Sequence, residues 1–160
     1  MNDKMVAIYL QDQLAAATGA VEMANRTAGS NEGSEYGEYL AQVRDEVTAD
    51  RDALRELMEK LGVKPDRVKI AGAWTAEKAG RLKLNGTLTS YSPLSRVVEL
   101  DMLTLMARAR LSLWEALRVV APGEPALTEA HLDELCARAQ SQLEGLGRER
   151  AKAARDAFAG

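Results

Sequence analysis

Apolar residues recur along most of this chain at alternating spacings of three and four, the pattern of helices that each bury one face. Over about residues 3–28 the stripe is Val6, Leu10, Leu14, Ala17, Val21 and Ala24. Over about 34–61 it is Leu40, Val43, Val47, Asp50, Leu54, Leu57 and Leu61, with Asp50 as its one charged member. A third segment, about 92–120, is apolar nearly all round, which predicts burial on several sides or a subunit contact. A fourth, about 128–157, carries Leu132, Leu135, Ala139, Leu143 and Leu146. Between the second and third lies a shorter pattern, Val68, Ala71, Ala79 and Leu82, which predicts a helix over about 66–83. No period-two alternation predicts a strand.

Stop and start signals fall between these stripes. Gly29, Ser30, Asn31, Glu32 and Gly33 form a turn cluster, so the first two segments are expected to pair as an antiparallel hairpin. Gly62 stands where a helix end needs positive φ, and Pro65 follows. Asn85-Gly86 ends the short helix, and Ser92 with Pro93 reads as an N-cap and first helical residue. Pro122, Gly123 and Pro125 close the third segment, and Thr128 is placed to cap the fourth. The expectation is one all-α domain, residues 1–160: a four-helix bundle of two antiparallel hairpins with a helical crossover between the second and third long helices.

Composition narrows the chemistry. The core must be built from Ala, Leu, Val and Met, because the chain has one Phe, two Trp and four Tyr. One His removes every site that needs two, and one Cys, Cys136, removes an internal disulfide and agrees with a reducing cytoplasm. A net charge of −3 gives no nucleic-acid signal, and no apolar run is long enough to predict a membrane span or a secretory signal. The charges are nevertheless segregated. Residues 32–59 hold nine acids and three bases, whereas residues 60–96 hold eight bases and two acids. Either the basic crossover lies against the acidic second helix, or Lys69, Lys78, Arg81 and Lys83 form a surface for a small anion.

Two helical hairpins joined by a long crossover resemble the ferritin-like superfamily, and the resemblance covers about residues 3–158. The phrases Tyr9-Leu10-Gln11-Asp12-Gln13-Leu14, Ala79-Gly80-Arg81-Leu82-Lys83-Leu84-Asn85-Gly86 and Ser92-Pro93-Leu94-Ser95-Arg96 add to a likeness with bacterial members. Active members bind two irons or manganeses through a Glu on each of two helices and a Glu-x-x-His on each of the others. Here the second helix has Glu46-Val47-Thr48-Ala49, with Ala in the His position. The fourth has His131-Leu132-Asp133-Glu134, in reversed order and near its start. The motif is absent from both, so no cofactor is expected; the alternative is a carboxylate-only divalent-metal site from Glu22, Glu46, Asp50, Glu99 and Asp101.

Counting outward from the first hairpin turn places Asp50 level with Gln13. The resemblance implies parallel second and third helices; started together near Tyr36 and Leu94, they put Asp50 level with about Arg108, and the second hairpin turn puts Arg108 level with Ser141 or Gln142. A polar layer of Gln13, Asp50, Arg108 and Gln142 is therefore expected where metal-binding members of that superfamily hold their ions; either Asp50 is buried with Arg108 as its partner, or it sits at the seam edge and reaches water. His131 reads as a surface or capping residue, Cys136 as a small core residue, and Arg148, Arg150, Lys152 and Arg155 as a solvated helix face. The functional expectation is a non-catalytic, metal-free module acting through association, as a homo-oligomer or with a protein partner. The alternatives are a metal-binding or oxidoreductase protein with an unconventional carboxylate site, and an anion binder at the basic crossover.

Overall fold

In the computed structural model, residues 3–69, 71–72 and 91–159 are described, and among them there is helix and no strand. Four long helices carry the architecture: α1 (Asp3–Ser30), α2 (Gly37–Lys60), α3 (Pro93–Val120) and α4 (Glu129–Phe158). A 3-10 turn, Ala121–Gly123, follows α3. Residues 67–69 and 71–72 are helical, Asp66 lies just before them outside the helix, and residues 70 and 73–83 of the expected 66–83 helix, with Trp74, Lys78, Arg81 and Lys83, lie outside the described residues. No helix among the described residues is long and apolar enough to cross a membrane.

Local chemistry sets the helix ends. Gly62 takes φ +69°, so its N–H bonds Glu59 O at 3.0 Å and the Val63 N–H bonds Met58 O at 2.8 Å, a paired closure of the last turn of α2. At α3 the Ser92 hydroxyl accepts from Ser95 N at 3.1 Å, the Ser95 hydroxyl accepts from Ser92 N at 3.4 Å, and Pro93 takes the first turn. Thr128 occupies the N-cap position of α4, but its side chain makes no capping hydrogen bond; its carbonyl instead accepts from Leu132 N at 3.1 Å.

Side-chain contacts fix the directions of the helices. Arg26 near the end of α1 bonds Glu99 near the start of α3 at 3.1 Å, so these two run antiparallel. Tyr36, just before α2, donates to Asp156 near the end of α4, so these two are antiparallel as well. The starts of α2 and α3 share one apolar cluster, with Leu40, Val43, Val97 and Leu100, together with Ala24 and Leu146. Their ends share another, with Leu54, Met58, Leu111 and Trp114, together with Leu10 and Leu132. Helices α2 and α3 are therefore parallel, and residues 61–92 must span the bundle, about 40 Å for helices of this length. The connection leaves over α1: Gln11 Nε2 donates to Lys64 O at 3.0 Å, and Lys69 Nζ lies 2.7 Å from Asp12 Oδ1. It returns at Tyr91, whose hydroxyl accepts from Asn31 Nδ2 at 2.7 Å and donates to Glu99 at 3.0 Å. Going round the bundle the order is α1, α2, α4, α3, which leaves α3 diagonal to α2.

Two glycines of α4 give opposite expectations. The Tyr39 ring of α2 lies directly over Gly145, where a methyl group would collide with it. Gly147 is exposed and has no atom near its missing Cβ. Gly147→Ala should therefore raise stability by about 0.5–1 kcal/mol through helix propensity. Gly145→Ala should lower it by about 1–3 kcal/mol, because the overlap outweighs the same gain. Urea denaturation of the two variants checks the sign of each.

The same end of the bundle is sensitive to alkali. Burial, followed by the Asp156 carboxylate that accepts its proton, raises the Tyr36 hydroxyl well above its ordinary range. Burial, with the Glu46 charge second, pushes Tyr39 up to about 12. An unfolded chain ionises its tyrosines near about 10, so the fold holds these protons more tightly. The resulting stabilisation is complete below about pH 10 and is lost as the pH climbs through about 12 for Tyr39. Urea midpoints measured from pH 8 to 12 should fall over that interval, and Tyr39→Phe should make the fall shallower.

Candidate functional site

The seam of α2 puts Asp50 between Val47 and Leu54, in the gap between the two apolar clusters. Its carboxylate has no exposed surface, so both oxygens must find protein donors. Oδ1 accepts from Arg138 Nε of α4 at 2.7 Å, with Arg138 Nη2 at 2.5 Å from the same oxygen. Oδ2 has Arg110 Nε of α3 at 2.7 Å and accepts from Gln142 Nε2 at 3.2 Å. The Arg110 Nε–H does not point along its short contact, so that pairing is a charge contact and not an aligned hydrogen bond. Arg110 Nη2 donates to Gln142 Oε1, which closes a ring of Asp50, Arg110 and Gln142.

The three ring members differ from Arg138 in solvation. Asp50, Arg110 and Gln142 are buried, whereas the Arg138 side chain is 35% exposed and closes the layer from its rim. Burial pulls the Arg110 guanidinium below its ordinary pKa, and the Asp50 charge works against that pull. A guanidinium keeps its proton even so, so the layer holds one negative and two positive charges. That net positive charge holds the Asp50 carboxylate and opposes a cation.

The sequence-expected residues are only partly brought together. Asp50 and Gln142 meet. Arg108 does not join them: it is exposed, and the partner on α3 is Arg110. The level estimate was off by two residues, about 3 Å of rise, and two residues also turn a helix through about 200°, from core to solvent. Gln13 is half-buried on α1 and is not a partner of Asp50, and Ser141 is exposed. Arg110 was legible by another signal, since it continues the buried seam of Leu103, Ala107, Trp114 and Leu117. Arg138 stands one turn before Gln142 on the same face of α4, a weaker cue.

The carboxylates considered for metal are dispersed among other partners. Glu99 pairs with Arg26 and Tyr91, Asp101 with Arg150, and Glu46 accepts from Gln42 at 2.7 Å. Glu22 is half-buried. No group of three or more His, Cys, Asp and Glu side chains able to share a metal ion occurs among the described residues. His131 is on the surface, 3.8 Å from Glu134. Cys136 is buried, and that burial raises its thiol pKa. Of the tail bases, Arg150 pairs with Asp101, and Lys152 reaches Glu35 at 2.7 Å while sitting 4.3 Å from the centre of the Tyr36 ring, so these two tie α4 to its neighbours. Arg148 and Arg155 are exposed. Of the four crossover bases considered for an anion, Lys69 lies within the described residues and is paired with Asp12, and Lys78, Arg81 and Lys83 lie outside them.

Comparison with protein-family models, curated proteins and solved structures finds no match to this chain.

Breaking the layer from one side should be costly. Asp50→Ala strands a buried guanidinium and should cost about 3–5 kcal/mol, whereas Arg138→Ala at the rim should cost about 1 kcal/mol. Replacing Asp50 by Leu and Arg110 by Met together should recover much of the Asp50→Ala loss. A urea-denaturation double-mutant cycle on Asp50 and Arg110 should thus show coupling well above that of a surface pair.

Proposed function

We propose that this chain is a ferritin-like helical module that works through association, with an ion-paired layer standing where active relatives of that superfamily hold two metals. The observation that carries the reading is the contact of Arg110 and Arg138 with both oxygens of Asp50. A divalent cation entering at that level would have to displace two guanidinium groups and meet their charge. The parallel run of α2 and α3 and the bundle-length connection between them support the fold assignment. The missing Glu-x-x-His motifs agree with a layer that holds no metal.

Association is supported by apolar surface outside the core. Met5, Leu94, Leu105, Val119 and Phe158 are exposed, the last at 67%. A carboxylate metal site and an anion site on the crossover gain no comparable support: Glu46, Glu99 and Asp101 are engaged elsewhere, and so is Lys69.

Elemental analysis of the protein purified without chelator, followed by exposure to Fe(II) and oxygen, tests the reading. The expected result is iron far below one ion per chain and Fe(II) oxidation no faster than in buffer. A stoichiometric di-iron load would overturn it.

A further inference from the structure

Helix α3 has a second seam besides the one it buries. Met102, Leu105, Ala109, Ser112, Ala116 and Val119 recur at spacings of three and four on its outward side, with no charge among them. Met102 is half-buried and the other five are exposed, Leu105 at 64% and Val119 at 81%. The outward positions of α2 contrast with this: Glu38, Gln42, Asp45, Arg55 and Glu56 are exposed there. Helix α3 packs against α1 and α4 on its inner sides and leaves this outer edge exposed to another helix.

The flank of this seam identifies the occupant. Asp101, Arg108 and Glu115 follow one another at intervals of seven along the side facing α4, where Asp101 is held by Arg150. Arg108 and Glu115 are exposed and have no ion-pair partner among the described residues. They are about 10 Å apart along the helix, too far to pair with each other.

We infer that the outward edge of α3 binds the same edge of a second copy of this chain, with the two helices antiparallel. Setting Ala109 against Ser112 of the second copy places Leu105 against its Ala116 and Met102 against its Val119. The two-fold axis repeats each contact, and Leu105 is matched to a small residue. The same alignment brings Arg108 opposite Glu115 of the second copy, twice by symmetry. A parallel pairing would instead face Arg108 and Glu115 with Leu113 and Val120, leaving both charges unmatched. The proposal rests on the association reading and names its partner and surface.

Sedimentation equilibrium on the whole chain tests it. The wild type should show a concentration-dependent dimer. Arg108→Glu and Glu115→Arg should each weaken the dimer by about tenfold or more, because each sets like charges together twice. The swapped variant R108E/E115R should return to near the wild-type constant. Both positions are exposed, so circular dichroism and thermal midpoints should be unchanged. A chain monomeric at every concentration overturns the proposal. So does a dimer indifferent to the single reversals, which would leave association standing through another surface. Iron loading with the charge-swap pattern intact would remove the proposed function and keep this surface.

Discussion

The buried carboxylate of Asp50 is the constraint around which this bundle is organised. An ionised acid without solvent must be met by charge, and here the charge comes from α3 and α4 at once. Three helices are therefore held at one relative height by directional contacts, which leucine packing alone does not do. Above and below that level the packing is apolar: Leu14, Leu54, Leu111 and Ala139 on one side, Ala20, Val47, Ala107 and Leu146 on the other. A slide of one helix by a turn would bring Arg110 or Gln142 against hydrocarbon. Replacing such a layer by apolar residues is often neutral for stability. Its contribution here is a single register for three helices.

The layer does not act on α1, and different contacts fix that helix. Asn31 closes the turn after α1 by donating to Thr27 O at 2.8 Å and to Tyr91, and its side-chain oxygen accepts from Arg96 Nε at 2.6 Å. Arg96 in turn lies 4.3 Å from the centre of the Tyr36 ring, with Lys152 near the same ring. One end of the bundle is thus joined through the turn at residues 31–36, the start of α3 and the end of α4. The positions of the tail bases follow from this arrangement.

How far the sequence could be read depended on the kind of interaction. The four long helices follow from apolar period, and Gly62, Ser92 and Pro93 mark ends that are decided by local backbone chemistry. Asp50 stood out because a charge on an apolar seam has few outcomes. Its partner on α3 was mislaid because counting residues from a turn gives a height but no azimuth. The azimuth was available in the seam through Ala107, Arg110 and Trp114, and that periodic cue outranks the height. Arg138 was hardly legible, since it reaches the layer from a half-exposed position by the length of its side chain. The Gly145 and Tyr39 contact was not legible, because close approach of a ring to a glycine depends on how two helices cross.

A metal-binding bundle concentrates carboxylates at its middle and relies on the ions to neutralise them. This chain places one carboxylate and two guanidiniums there, so its middle carries a net positive charge from its own side chains, which opposes a cation. The remaining carboxylates Glu99 and Asp101 lie nearer the start of α3, where each is held by an arginine on a neighbouring helix. These two acids thus serve to join helices. On the outside, the α3 edge carries an uncharged seam beside Arg108 and Glu115, neither of which has an ion-pair partner among the described residues. On the association reading proposed above, that edge is where one bundle meets another, because its seam offers apolar area and its flank offers charges of both signs.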